Sequence, residues 1–147
     1  MDNPLVEGLF YEKIDNKRVQ CNLCPHNCII DEDKSGICTV RRNVDGKLIA
    51  TNYGKVTAFH LDPIEKKPLF NFLPGSKAFS IGTVGCNFHC KHCQNFDISQ
   101  YPHDHGWEIV GQDRTPEQIV ASAKAAGCET IPYTYTEPAH FSSEERR

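Results

Sequence analysis

Seven of the eight cysteines fall into two tight groups, and that grouping constrains the fold more than any other feature of the chain. The first group is Cys21-x2-Cys24-x3-Cys28-x9-Cys38, the second is Cys86-x3-Cys90-x2-Cys93, and Cys128 stands alone. Short loops must bring each group together, so something must reward the gathering of thiols. Disulfides do not suit the second group, because three thiols cannot all pair. The opening MDNPLVEGLF has no basic stretch followed by an apolar one, and no segment approaches a membrane span, so a cytoplasmic, reducing setting is expected. Metal or cluster binding is the leading alternative.

The rest of the composition is that of a loop-rich globular chain. At 147 residues, 39% apolar and 24% charged, it has room for one domain, or a small subdomain plus part of a larger one. A net charge of -3 supplies no field for nucleic acid or an anionic membrane. The one dense basic spot, Arg41-Arg42, reads as a solvated strand edge.

Residues 9 to 24 read as a hairpin turning at DNK, and Asp45-Gly46 between ICTVRRNV and KLIATNY is a strong two-residue hairpin signal. Residues 1–74 are thus expected to form a cysteine-rich β-meander followed by a connector, DPIEKKPLFNFLPGS, whose three prolines deny donors to regular structure. Residues 75–147 change character. AFSIGTVG suits a buried strand, and the second cysteine group follows on a long loop. Thr115-Pro116-Glu117-Gln118 then offers a cap, a first-position proline and a capping box to a helix that Gly127 closes. Ile119, Val120 and Ala123 share a face, and TIPYTY is rich in strand formers, although Pro132 lacks a ladder donor. The result is one strand-helix-strand unit, in which reactive groups belong on the loops after the strands.

Within the second group, zinc would need a fourth ligand from His89 or His92 on the same short loop. An iron-sulfur cluster fits better: four thiolates serve an electron-transfer cluster, whereas three leave one iron open to a small chelating molecule. Gly82 and Gly85 are expected to let the backbone pass close to such a cofactor. The first group offers four soft ligands, for which zinc, a second cluster and plain reduced thiols in a small core all remain open. Cys128 reads as a small hydrophobe, and His103 and His105 as surface residues of a loop.

The segments CNLCPHNC, DPIEKKPLFNFLPG, SIGTVGCNFHCKHCQNFDISQ and YTYTEP, in that order, resemble the radical S-adenosylmethionine enzyme of the AmmeMemoRadiSam system, a family related to the pyruvate formate-lyase-activating enzymes. The resemblance runs from about residue 9 to residue 141. It implies an α/β fold: the N-terminal part of a partial (β/α) barrel, with only its first strand, helix and second strand, preceded by the cysteine-rich meander. It further implies that Cys86, Cys90 and Cys93 ligate a 4Fe-4S cluster whose fourth iron takes the methionine end of S-adenosylmethionine. Glu137, in Thr136-Glu137-Pro138, matches the stretch that meets the methionine amino group. The implied activity is reductive cleavage of S-adenosylmethionine to a 5'-deoxyadenosyl radical that abstracts hydrogen from a substrate or partner protein. Flavodoxin or ferredoxin would be the reductant.

The resemblance does not decide the metal of Cys21, Cys24, Cys28 and Cys38. A whole barrel core of this family has six strand-helix units, and SSEERR lacks the apolar periodicity with which the family continues. An N-terminal fragment with doubtful activity of its own is therefore expected. The alternative is a non-catalytic iron-sulfur or zinc-binding module.

Overall fold

The computed structural model describes residues 5–136. Its first part is two small antiparallel sheets. β1 (Val6–Glu7) is followed by β2 (Tyr11–Lys13), a 3-10 turn over Asp15–Lys17, and β3 (Val19–Cys21), with Ile14 N–H donating to the Arg18 carbonyl at 2.9 Å to close the hairpin. Asn16 and Lys17 both take positive φ in the turn, so the DNK signal was read correctly. β4 (Ile29–Ile30) pairs on the other side of β3. β5 (Arg41–Val44) and β6 (Lys47–Ala50) form the Asp45-Gly46 hairpin, with φ of 50° and 74° at the two turn residues, and β1 adds to β6 in the order β1-β6-β5.

One buried amide ties the two sheets together. Asn43 is fully buried on β5; its Nδ2 donates to the Lys17 carbonyl at 2.8 Å and the Ile30 carbonyl at 2.9 Å, while its Oδ1 accepts from Gly46 N–H at 3.0 Å. Beneath it lies a core of Val19, Cys21, Ile30 and Leu48. Arg41 corrects the expectation of a solvated basic edge: it is 1% exposed, with Nη1 donating to Asn52 Oδ1 at 3.1 Å, and only Arg42 faces solvent. Alternation along β5 explains this, since neighbouring residues on a strand must point to opposite faces.

β7 (Lys55–Val56) leads into β8 (Ala58–Pro63), which pairs antiparallel with β9 (Lys77–Gly82) from Ala58↔Gly82 to Pro63↔Lys77. The proline-rich segment is the loop of this hairpin, opening with a 3-10 turn over Ile64–Lys66. The expected division near residue 75 falls inside that loop. Asp62, 5% exposed, anchors its base by accepting from Lys66 Nζ and Lys67 Nζ, each at 2.8 Å, Ser80 Oγ at 2.9 Å and Tyr135 Oη at 3.1 Å. Burial alone would raise the Asp62 carboxyl, but these four donors outweigh it and hold the group below the usual carboxylate range.

Between β9 and the next helix the structure departs from the expected loop. α1 (Phe96–Ser99) and α2 (Tyr101–Asp104) are single turns, and β10 (Gln112–Asp113) pairs antiparallel with β7. His103 thus lies in α2 rather than in a loop, and His105 caps it. Such short pieces leave no apolar period for a sequence to display. α3 (Pro116–Ala125) is as expected: Thr115 and Gln118 complete the capping box, Pro116 takes the first turn, and Gly127 follows at φ 68°. Of its expected apolar face only Ala123 is buried; Val120 is 42% exposed.

After α3 the chain returns parallel to β9, with bridges Ala78↔Thr130 and Ile81↔Tyr133. Phe79 N–H donates to the Thr130 carbonyl at 2.9 Å, Ile81 N–H to the Pro132 carbonyl at 3.0 Å, and Thr134 N–H to the Ile81 carbonyl at 2.9 Å. Pro132 meets β9 through its carbonyl, so its missing donor does no harm.

Two predictions follow from this packing. A Cβ at Gly85 would lie 2.3 Å from Val40 Cγ1 and 2.9 Å from the Cys38 carbonyl oxygen, at φ 91°, whereas Gly75, φ 77°, has nothing within 4 Å. Urea unfolding should find Gly85→Ala destabilised by about 2–4 kcal/mol and Gly75→Ala by about 1 kcal/mol. Equal costs would mean that the contact with Val40 is relaxed away. The second concerns Asp62, whose depressed carboxyl stabilises the fold fully above the ordinary Asp range of about 3.9 and loses that contribution as pH falls through the folded value. Asp62→Asn should therefore cost about 2–4 kcal/mol at neutral pH and flatten the loss of stability below about pH 4. An unchanged acid limb in the variant would show that other carboxyls carry it.

Candidate functional site

β9 ends at Gly82 and delivers the chain through buried Thr83 and Val84 to Gly85 and the second cysteine group. Gly82 and Gly85 do allow close approach, but to the protein itself. A Cβ on Gly82 would meet the Thr134 carbonyl oxygen at 2.9 Å, and Gly85 sits against Val40 and the Cys38 carbonyl. The two glycines thus seat the returning strand and the N-terminal sheets against the root of the loop.

The loop itself runs across the surface from Cys86 to Cys93. Gly85 N–H donates to the Ile98 carbonyl at 3.0 Å and Gln100 Nε2 to the Phe88 carbonyl at 2.9 Å, so α1 and its C-cap hold the loop at both points. Cys90 and Cys93 share a turn closed by Cys93 N–H to the Cys90 carbonyl at 3.2 Å. Cys86 Sγ accepts from Phe88 N–H at 3.4 Å, and Cys93 Sγ lies 3.5 Å from Ser99 Oγ. Cys90 is exposed and the other two are half-buried. All three therefore sit on one accessible loop at the C-terminal end of β9.

Among the described residues no three His, Cys, Asp or Glu side chains converge closely enough to hold a single metal ion. A cluster makes a different demand, because each thiolate bonds its own iron and the sulfurs stand farther apart. His89 packs edge to face on His103, ring centres 5.4 Å apart, and is not drawn toward the thiols. Phe88 within the loop and Phe96 just after it are 53% and 60% exposed.

The extended segment that returns from α3 brings Thr134 and Tyr135 alongside the exit of β9. Tyr135 is held there by Asp62, by Lys67 Nζ over its ring at 5.0 Å and by the edge of His60 at 5.4 Å between ring centres. Glu137 lies outside the described residues. The Asp62–Lys67–Tyr135 group is the part of this site that sequence reasoning missed. Its signal was a carboxylate followed at four and five positions by lysines, in a segment to which no chemistry had been assigned.

The first cysteine group is gathered by the two small sheets. Cys21 ends β3, Cys24 lies in the turn after it, Cys28 precedes β4, and Cys38 sits in the turn before β5; all four line one cavity of about 10 Å³. Cys21 N–H donates to the Cys28 carbonyl at 2.9 Å, Asn27 N–H to the Cys24 carbonyl at 3.1 Å, and Thr39 N–H to the Gly36 carbonyl at 2.9 Å. Burial raises the Cys21 thiol and pushes Cys38 up to about 11. The cavity also reaches the other group, since it is lined by Asn87, the neighbour of Cys86, whose carbonyl lies 2.9 Å from His26 Nε2. Cys128 is half-buried, after α3.

These environments should order the reactivity of the thiols. In the reduced, metal-free chain at about pH 8, iodoacetamide should label Cys90 first and Cys21 and Cys38 last, at least about 100-fold more slowly. Peptide mapping of a time course measures this; early labelling of Cys38 would contradict the buried cavity.

No protein-family model and no solved structure matches the chain. Uncharacterized protein MJ0808 of Methanocaldococcus jannaschii is 51% identical over 132 residues, 90% of this chain and 39% of that protein. The chain thus spans about two fifths of the length of this curated relative. Among the described residues no helix is long and apolar enough to cross a membrane.

Proposed function

We propose that the chain is the N-terminal part of a radical S-adenosylmethionine protein, in which Cys86, Cys90 and Cys93 hold a 4Fe-4S cluster. The observation that carries this reading is the position of the three thiols. They share one accessible loop directly after β9, a strand whose parallel neighbour returns through α3. Reactive groups in strand-helix-strand architectures belong at that end of the strands. On this reading β9, α3 and the strand through Thr130–Thr134 open a (β/α) barrel.

The donor set fits the cofactor. Three thiols on one loop would ligate three irons and leave one for a chelating ligand. When bound and reduced, such a cluster supplies the electron that cleaves S-adenosylmethionine to methionine and a 5'-deoxyadenosyl radical. The residues here bind and orient. The α1 contacts fix the loop, and the Asp62–Lys67–Tyr135 group fixes Tyr135; on this reading Glu137 would receive the methionine amino group.

The reductant would be a flavodoxin or ferredoxin, and hydrogen would be taken from a substrate or a partner protein in the cytoplasm. With two fifths of the relative's length, the chain's own catalytic competence is a separate matter from its cluster.

Anaerobic reconstitution with iron and sulfide, followed by dithionite and S-adenosylmethionine, tests the reading. About four irons and four sulfides per chain should be held in the 86–93 loop and lost in C86A/C90A/C93A, with 5'-deoxyadenosine formed by the native chain. A cluster without 5'-deoxyadenosine would show that the chain is not an enzyme on its own. No cluster at all would overturn the reading.

A further inference from the structure

We propose that Cys21, Cys24, Cys28 and Cys38 bind one zinc-class ion, which staples the two N-terminal sheets to the root of the 86–93 loop. The four thiols come from the end of β3, the turn that follows it and the turn before β5, yet line a single small cavity. Tetrahedral coordination by four cysteines is the closed structural form that zinc prefers. As placed, the thiols do not converge at single-ion spacing, so the proposal requires them to close on the ion.

The surroundings fit an anionic centre. The buried guanidinium of Arg41 lines the same cavity and brings positive charge toward a four-thiolate site. Asn87, 5% exposed and also in the lining, has an Oδ1 without a hydrogen-bond partner. The amide can turn over to present its NH₂ instead, the donor that a thiolate sulfur accepts. The fold also has reason to need a staple. Its two sheets are built from strands of two to four residues over a core of Val19, Cys21, Ile30 and Leu48, which is little apolar burial for an independent unit. Through Asn87 and the His26 contact, the same ion would steady the residue next to Cys86.

The inference does not rest on the cluster reading, and its test keeps the two apart. C86A/C90A/C93A should still be purified with about one zinc per chain, measured by elemental analysis. Cobalt exchanged into that variant should give the intense visible bands of a tetrahedral thiolate site, and removal of the zinc by chelation should lower the thermal midpoint. C24S/C28S, with circular dichroism as the check on folding, should lose the zinc while the native 86–93 loop still takes up iron and sulfide. The proposal is overturned if the triple variant holds no zinc, which would leave four reduced core thiols. It is equally overturned if that variant holds iron with sulfide, or if zinc follows Cys86, Cys90 and Cys93 instead.

Discussion

The structure depends on β9 being hydrogen-bonded along both edges. β8 runs antiparallel on one side through six residue pairs, and the segment 130–134 runs parallel on the other through two bridges. A strand so held has little freedom in where its end points, and the end of β9 is where Gly85 and the Cys86 loop begin. The Asp62 network reinforces this from both neighbours at once, since it joins β8, Ser80 of β9 and Tyr135 after the parallel strand. Four donors around one carboxylate make that junction costly to open, because leaving any charge behind in a buried site is heavily penalised.

The second constraint is the contact between the two cysteine groups. They are about fifty residues apart in sequence, yet Gly85 rests on the Cys38 carbonyl and the Asn87 carbonyl meets His26. The N-terminal sheets are therefore a support for the loop as well as a unit with their own core. Asn43 serves the same end within them by replacing the apolar contacts that such short strands cannot supply with hydrogen bonds to Lys17, Ile30 and Gly46.

Much of this was legible in the sequence where local chemistry decides structure. The DNK and Asp45-Gly46 turns, the Thr115 capping box and the position of the cysteine loop after AFSIGTVG all rest on residues whose preferences act over a few positions. What was not legible depends on distant partners. Arg41 reads as a surface charge until β6 and Asn52 cover it, and Gly82 and Gly85 read as cofactor-facing until Thr134 and Val40 arrive. The single-turn helices α1 and α2 are held by capping and by contacts to the loop, with too few residues for any periodic signal. Of the candidate site, the place of the three cysteines on one loop after β9 was readable from the sequence, but the Tyr135 anchor needed the β8 hairpin to bring Asp62 to it.

The account turns on whether three thiolates in the 86–93 loop leave an iron open to S-adenosylmethionine. The most direct measurement is low-temperature electron paramagnetic resonance of the reconstituted, dithionite-reduced chain before and after S-adenosylmethionine is added. The account predicts a reduced-cluster signal that shifts on addition, and no such signal in C86A/C90A/C93A. A cluster signal that S-adenosylmethionine leaves unchanged, or one that survives in the triple variant, would contradict it.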